Sequence, residues 1–130
     1  MNRTFLGTAS LLGALAVVLG AFGAHALRSR ISSEDLAVYE TGVRYQFFHV
    51  LALLAVAILA ERFPHGSVKW AGRCFIAGII LFSGSLYALT FLKMASWSGW
   101  KLFGIITPFG GLFLIAGWIL LFRGVNAKAK

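Results

Sequence analysis

Tyr39-Glu-Thr-Gly-Val-Arg-Tyr-Gln-Phe-Phe-His49 runs without a breaker into the apolar segment Val50 to Ala60. An acid, a base, a histidine, two tyrosines and a glutamine stand at the mouth of a hydrophobic run, where each needs a partner or water. This stretch reads as the end of an interfacial helix turning into a membrane span, and it is the first candidate for a site.

The composition outside that stretch agrees. Of 130 residues, 59% are hydrophobic and only 12% charged, and the mean hydropathy is +0.85. Soluble domains carry about 45–50% apolar and about 25% charged residues, so the chain reads as a membrane protein of one small domain. The net charge of +8 sits on Lys and Arg placed between apolar runs. That pattern fits anchors flanking membrane spans and facing anionic lipid, and it argues against a nucleic-acid partner. A single cysteine, Cys74, excludes an internal disulfide.

Four apolar runs are long enough to cross a bilayer, for which about 20 residues suffice. The expected spans are 4–27, 45–61, 71–92 and 102–122. Arg3 and the Ala24-His25-Ala26 triplet give the first run some features of a cleavable leader, but its apolar part exceeds the usual h-region of about 7–15 residues, and retention is expected. Small residues recur every fourth position at Ala16, Gly20 and Ala24, a face on which another backbone can approach closely, expected to belong to the same chain.

Arg28 to Ser33 is a polar link. Ser32 followed by Asp35 resembles a capping box, so a long helix is expected from Ser33 to Arg62, interfacial to about Arg44 and bent near Gly42. Glu61 to Arg73, with Pro64 and Gly66, has loop composition, and Lys93 to Lys101, with Trp97 and Trp100, reads as an interfacial loop. The fold class is therefore an all-α membrane protein: four transmembrane helices in a compact bundle, the second with an interfacial N-terminal extension.

An even number of spans puts both termini on one side. Arg3, Arg62, Lys69, Arg73, Arg123, Lys128 and Lys130 lie on that side, against Arg28, Arg30, Arg44, Lys93 and Lys101 opposite, which favours cytoplasmic termini.

Alternating span directions bring the end of span 1, the start of span 2, the later half of span 3 and the start of span 4 into one membrane half. The candidate polar network there comprises His25, Glu40, Arg44, Tyr45, Gln46, His49, Ser83, Ser85, Tyr87 and Thr107, expected to be mostly buried, with Glu40, Arg44, Tyr45 and His49 as its hub. Thr41, Tyr45 and His49 share one helical stripe, and Glu40 and Arg44 form an acid-first i, i+4 pair on another. No catalytic or metal-ligating residue is expected. Neither Ser83 nor Ser85 sits in a G-x-S-x-G elbow, and no C-x-x-C-H haem attachment motif is present. A pair of interfacial histidines satisfied by protein groups explains His25 and His49 more simply than haem ligation, so no cofactor is expected.

Gly20-Ala-Phe-Gly-Ala-His-Ala26, Tyr39-Glu-Thr-Gly with Tyr45-Gln-Phe-Phe-His49, Leu81-Phe-Ser-Gly-Ser-Leu-Tyr87 and Thr107-Pro-Phe-Gly-Gly111 occur here in that order. Together they resemble the YgdD/YwdK-like family of small bacterial inner-membrane proteins, which has mitochondrial relatives in animals. The resemblance implies a four-span membrane protein of unknown function and brings no reaction with it. Two functional readings follow from the residues: a non-enzymatic membrane component acting on a second copy or a membrane-protein partner, or a membrane-embedded site for a small molecule, proton or cofactor in the polar half.

Overall fold

The computed structural model describes residues 1–127. Lys128 and Lys130, counted above toward the charge of the terminal side, lie outside the described residues. Four helices, each long and apolar enough to span a membrane, account for nearly all of the rest: α1 Arg3–Leu27, α2 Ser33–Arg62, α3 Gly66–Met94 and α4 Ser98–Asn126.

The first three helices start where local chemistry supplies a cap. The Asn2 side chain accepts from the Phe5 amide at 3.1 Å, Ser32 Oγ from the Asp35 amide at 3.1 Å, and His65 Nδ1 from the Ser67 amide at 3.2 Å. These groups satisfy amides that the first helical turn leaves without partners. Glu34 and Asp35 in the first turn of α2 add negative charge at the positive end of its dipole.

The links are shorter than their composition suggests. Residues 66–73, expected as loop, form the first two turns of α3, because Val68, Ala71 and Gly72 are buried while Lys69 and Arg73 stay exposed on the opposite face. Likewise α3 continues to Met94 and α4 begins at Ser98, so the expected nine-residue loop contracts to a turn in which Ser96 takes φ 58°. At the far end α4 runs past Phe122 to Asn126, whose side chain bonds the Phe122 carbonyl at 2.8 Å.

The helices pack in sequence order, α1 on α2, α2 on α3 and α3 on α4, with α2 and α3 in the middle and α2 barely touching α4. Because lipid tails are as apolar as leucine, close packing has to supply much of what holds such helices together. The α3–α4 seam shows how. Gly110, Gly117 and Gly124 recur every seventh residue and are all buried, with Leu114 and Leu121 between them. A Cβ on Gly117 would fall 2.6 Å from the Phe75 ring, one on Gly124 2.5 Å from Val68 Cγ2, and one on Gly110 would clash with the Phe82 amide. Leu114 returns the favour by filling the space over Gly78.

The α1–α2 seam uses Ala9, Gly13, Ala16, Gly20 and Gly23 in the same manner. Ala9 and Ala16 are fully buried, and Gly13 and Gly20 face Val50 and Val43. The neighbour of the small-residue face is thus α2 of the same chain. Ala24, the third member of the expected row, is exposed, because the last turn of α1 widens into a π turn over Gly23–Leu27 and shifts the phase. A second π turn, Ile79–Ser83, interrupts α3. Gly42 lies within unbroken helix; its missing side chain admits Tyr87 and Leu86 of α3 to the α2 backbone.

The apolar core, built around Leu53, Val56, Ala57, Val68, Ala71, Phe75 and Leu121, fills the half of the bundle nearest the termini. The polar side chains gather in the other half.

Candidate functional site in the polar half of the bundle

The centre of the polar half is Gln46, which is only 2% exposed. Its Nε2 donates to the Leu12 carbonyl of α1 at 2.8 Å, and its Oε1 accepts from the Tyr87 hydroxyl of α3 at 2.8 Å. A carbonyl can only accept, so the Leu12 bond fixes which way the amide faces and leaves its oxygen for Tyr87. One side chain ties three helices.

Tyr39, fully buried, extends this arrangement. Its hydroxyl donates to the Leu19 carbonyl at 2.6 Å, and its ring fills the space over Gly23, where a Cβ would come within 2.6 Å of the ring edge. The same ring packs against Tyr87 at a centroid distance of 5.2 Å and edge-on to Phe91 at 6.0 Å, separations typical of favourable aromatic pairs.

One helical turn deeper, His49 has both ring nitrogens engaged. Nδ1 lies 2.7 Å from the Tyr45 carbonyl and Nε2 lies 3.1 Å from Trp118 Nε1 of α4. The carbonyl needs a donor and the indole is only a donor, so these partners require the neutral tautomer with its proton on Nδ1. The His49 lone pair is therefore occupied by Trp118, and Phe75 closes the cluster at 5.7 Å from His49 and 5.2 Å from Trp118.

Ser83, in the π turn of α3, donates to the Gly42 carbonyl at 2.7 Å. Ser85 meets Thr107 of α4 at 2.7 Å, and the two hydroxyls also approach the Phe82 and Phe103 carbonyls at 2.8 and 3.1 Å. Two protons serve three contacts there, so one back-bond yields whenever the Ser85–Thr107 bond forms. Among the described residues no buried side-chain nitrogen or oxygen lacks a partner, and no three His, Cys, Asp or Glu residues group as metal ligands would.

Gln46, His49, Ser83, Ser85, Tyr87 and Thr107 thus sit together, in bonds that cross helices or brace them. Glu40, Arg44 and His25 do not join them. All three are exposed, and among the described residues no ion pair links Glu40 with Arg44. The expected hub is displaced because the inward face of α2 is the stripe Tyr39, Gly42, Gln46, His49, Leu53 and Val56, alternating in steps of three and four. Glu40 and Arg44 fall off that stripe. Tyr45 is 39% exposed, lays its ring 4.5 Å from Phe82 and contributes its carbonyl to His49. The ion pairs found among the described residues are at the helix ends: Lys93 to Asp35 at 2.6 Å, and the Met1 ammonium with Glu61.

Tyr39 and Trp118 were absent from the sequence-derived set. Tyr39 carried a signal, since it lies seven residues before Gln46 and three before Gly42. So did Trp118: unlike Trp70, Trp97 and Trp100 it falls inside an apolar run rather than beside one, where an indole N–H needs an acceptor.

Comparison with known proteins places this chain in a family. The family model described as "Protein of unknown function (DUF423)" matches residues 19–111. The chain belongs to the DUF423 family. It is 42% identical over 120 residues to the UPF0382 membrane protein YwdK of Bacillus subtilis, covering 92% of this chain and 93% of the relative. It is 36% identical over 130 residues to the UPF0382 inner membrane protein YgdD of Escherichia coli K12, covering 99% and 95%. No solved structure matches the chain. This member of the DUF423 family is an integral membrane protein embedded in the lipid bilayer, in a family without an assigned activity.

Proposed function

We propose that the protein is a non-enzymatic component of the membrane, a rigid four-helix unit that acts by packing against a second copy or another membrane protein. The observation that carries this reading is Gln46. This buried polar side chain at the heart of the candidate site spends its amide on Leu12 and Tyr87, and its neighbours are bonded in the same way. Such groups fasten helices, and a reacting group would instead present a nucleophile, base or acid toward a space where a substrate could sit.

Complementation of a chromosomal deletion tests it. Gln46→Leu, Tyr87→Phe and His49→Leu should restore the deletion phenotype in proportion to the folded protein that accumulates in the membrane. A variant present and folded at the wild-type level yet unable to complement would make that side chain a reacting group and overturn the proposal.

The same reading places both termini in the cytoplasm of a bacterial inner membrane, with residues 4–27, 45–61, 71–92 and 102–122 in the hydrocarbon layer. It rests on the excess of Lys and Arg on the terminal side. Reporter fusions at both ends test it: a periplasmic signal from either end would refute it. The competing reading, a membrane-embedded ligand site, draws support from a crevice beside Thr107 and Pro108.

A further inference from the structure

That crevice, about 650 Å³ in volume, opens between α2 and α4 where the two helices separate, with α3 as its floor. Phe82, Leu86, Leu89 and Lys93 run along the floor at helical spacing. The eleven steps from Phe82 to Lys93 rise about 16 Å at 1.5 Å each, roughly half of a hydrocarbon core about 30 Å thick. The crevice is therefore as deep as one leaflet.

Its polarity changes with depth as a lipid's does. At the mouth stand Glu34, the Asp35–Lys93 pair and the Trp100 ring, over which the Lys93 ammonium lies at 5.4 Å. Below them the lining is apolar except for Thr107, whose hydroxyl is engaged by Ser85 and the Phe103 carbonyl, with Phe82, Leu86 and Pro108 at the deep end. The volume spread over that depth gives a mean cross-section of about 40 Å², about half that of a helix with a diameter of about 10 Å. The space matches a hydrocarbon chain better than it matches a whole helix of a second copy.

We propose that this crevice binds one zwitterionic, amine-headed phospholipid, its head at Glu34, Lys93 and Trp100 and one acyl chain laid along α3. Charge selects the head. Asp35 and Lys93 compensate each other, which leaves Glu34 as the uncompensated charge of the lining itself, with the Lys101 ammonium just outside it, 5.9 Å from the Trp100 ring. A primary amine answers Glu34, while the phosphate lies against the Lys93 and Lys101 ammonium groups that flank the Trp100 ring. A head with phosphate and no amine would bring a second negative charge to Glu34. This assignment goes beyond the scaffold reading and does not depend on it, since it uses none of the Gln46 contacts.

The test uses the full-length protein, stripped of lipid in mild detergent and given 1-palmitoyl-2-oleoyl phosphatidylethanolamine or phosphatidylglycerol, with bound lipid counted by native mass spectrometry. The wild type should retain one phosphatidylethanolamine in preference to phosphatidylglycerol by about fivefold, the size of one favourable ionic contact. Glu34→Gln should bring the two lipids to parity. Gly104→Leu should abolish retention of both, because Gly104 lines the crevice with room for a side chain: its nearest neighbour to an added Cβ is Leu89 Cδ1 at 3.7 Å. Leu89→Phe fills the same space from the floor and should act alike, and thermal unfolding in lipid-free detergent shows which variants keep the fold. Equal retention of both lipids by the wild type, wild-type retention by folded Gly104→Leu or Leu89→Phe, or a lipid-free dimer protected by the crevice would each overturn the proposal.

Discussion

Removing the Gln46–Tyr87 bond from each side in turn should show how much a three-helix tie contributes in a membrane protein. Tyr87→Phe keeps the ring against Tyr39 and Gly42 and deletes only the hydroxyl, leaving Gln46 Oε1 without its donor at a position 2% exposed. A stranded buried polar atom costs about 1–3 kcal/mol. Gln46→Leu strands the Tyr87 hydroxyl, while the Leu12 carbonyl still accepts the helical bond of its own turn, so about 1–2 kcal/mol is expected there as well. The double variant removes both partners together and should cost less than the two single costs combined. The difference should be about 0.6–1.7 kcal/mol, the range of hydrogen bonds between membrane helices. Reversible unfolding in mixed micelles of mild detergent and sodium dodecyl sulfate, followed by tryptophan fluorescence, measures all four proteins. Pairing Gln46→Leu with Ser85→Ala is the control, since Ser85 bonds Phe82 and Thr107 and shares no partner with Gln46; that pair should be additive to within about 0.3–0.5 kcal/mol. Additivity in the Gln46–Tyr87 cycle itself would mean that the bond contributes nothing and that Gln46 is not the centre of the fold.

Gly110→Ala should destabilise by about 1–3 kcal/mol or more, as overpacking against a backbone that cannot move aside does, whereas Gly7→Ala, with nothing within 4 Å of the added Cβ, should be neutral or stabilising in the same unfolding assay. Glu40→Gln and Arg44→Met, both on the exposed face of α2, should each stay within about 0.5 kcal/mol of wild type; a loss larger than that from Arg44→Met, rescued by the double substitution, would restore the ion pair expected from sequence. Trp118→Phe should lower stability by about 1 kcal/mol by leaving His49 Nε2 without its donor, and a wild-type unfolding midpoint would show that α2 and α4 do not depend on that bond.

The four helices were legible because each is an apolar run bounded by charge, proline or glycine, and membrane insertion leaves such runs few alternatives to a helix. The caps at Ser32 and the first turn of α2 were legible for the same local reason. The links were overestimated because Lys69 and Arg73 read as loop residues, although a helix entering the headgroup layer tolerates charge on its outer face. The site was half legible. Polarity at membrane depth singled out Gln46, His49, Ser83, Ser85, Tyr87 and Thr107, but the stripe through Thr41, Tyr45 and His49 mistook the phase of α2. What decides the phase is where a neighbouring backbone comes close, and Gly42 marks that approach. A glycine scored as a bend was a docking point for Tyr87 and Leu86. Trp118 escaped because its partner lies sixty-nine residues away in sequence and on a helix that α2 otherwise barely touches.

The two seams of the bundle are held by different physics, and the crevice is what their difference leaves over. Between α3 and α4 the glycines at 110, 117 and 124 let aromatic and aliphatic side chains interlock with hardly any polar contact, so these two helices are locked along most of their length. Between α2 and its neighbours α1 and α3, the close approach is reinforced by Gln46, Tyr39 and Ser83, each bonded to a carbonyl across the gap. Neither device operates between α2 and α4. There the contact is His49 with Trp118 near mid-bundle, and toward the polar end Asp35 turns to Lys93 on α3 rather than to α4. With α4 held close to α3 and α2 held from below and from the side, the upper parts of α2 and α4 have nothing to draw them together. A gap one leaflet deep in a lipid-facing wall must then be filled from the bilayer, and the charges at its mouth determine which lipid fills it.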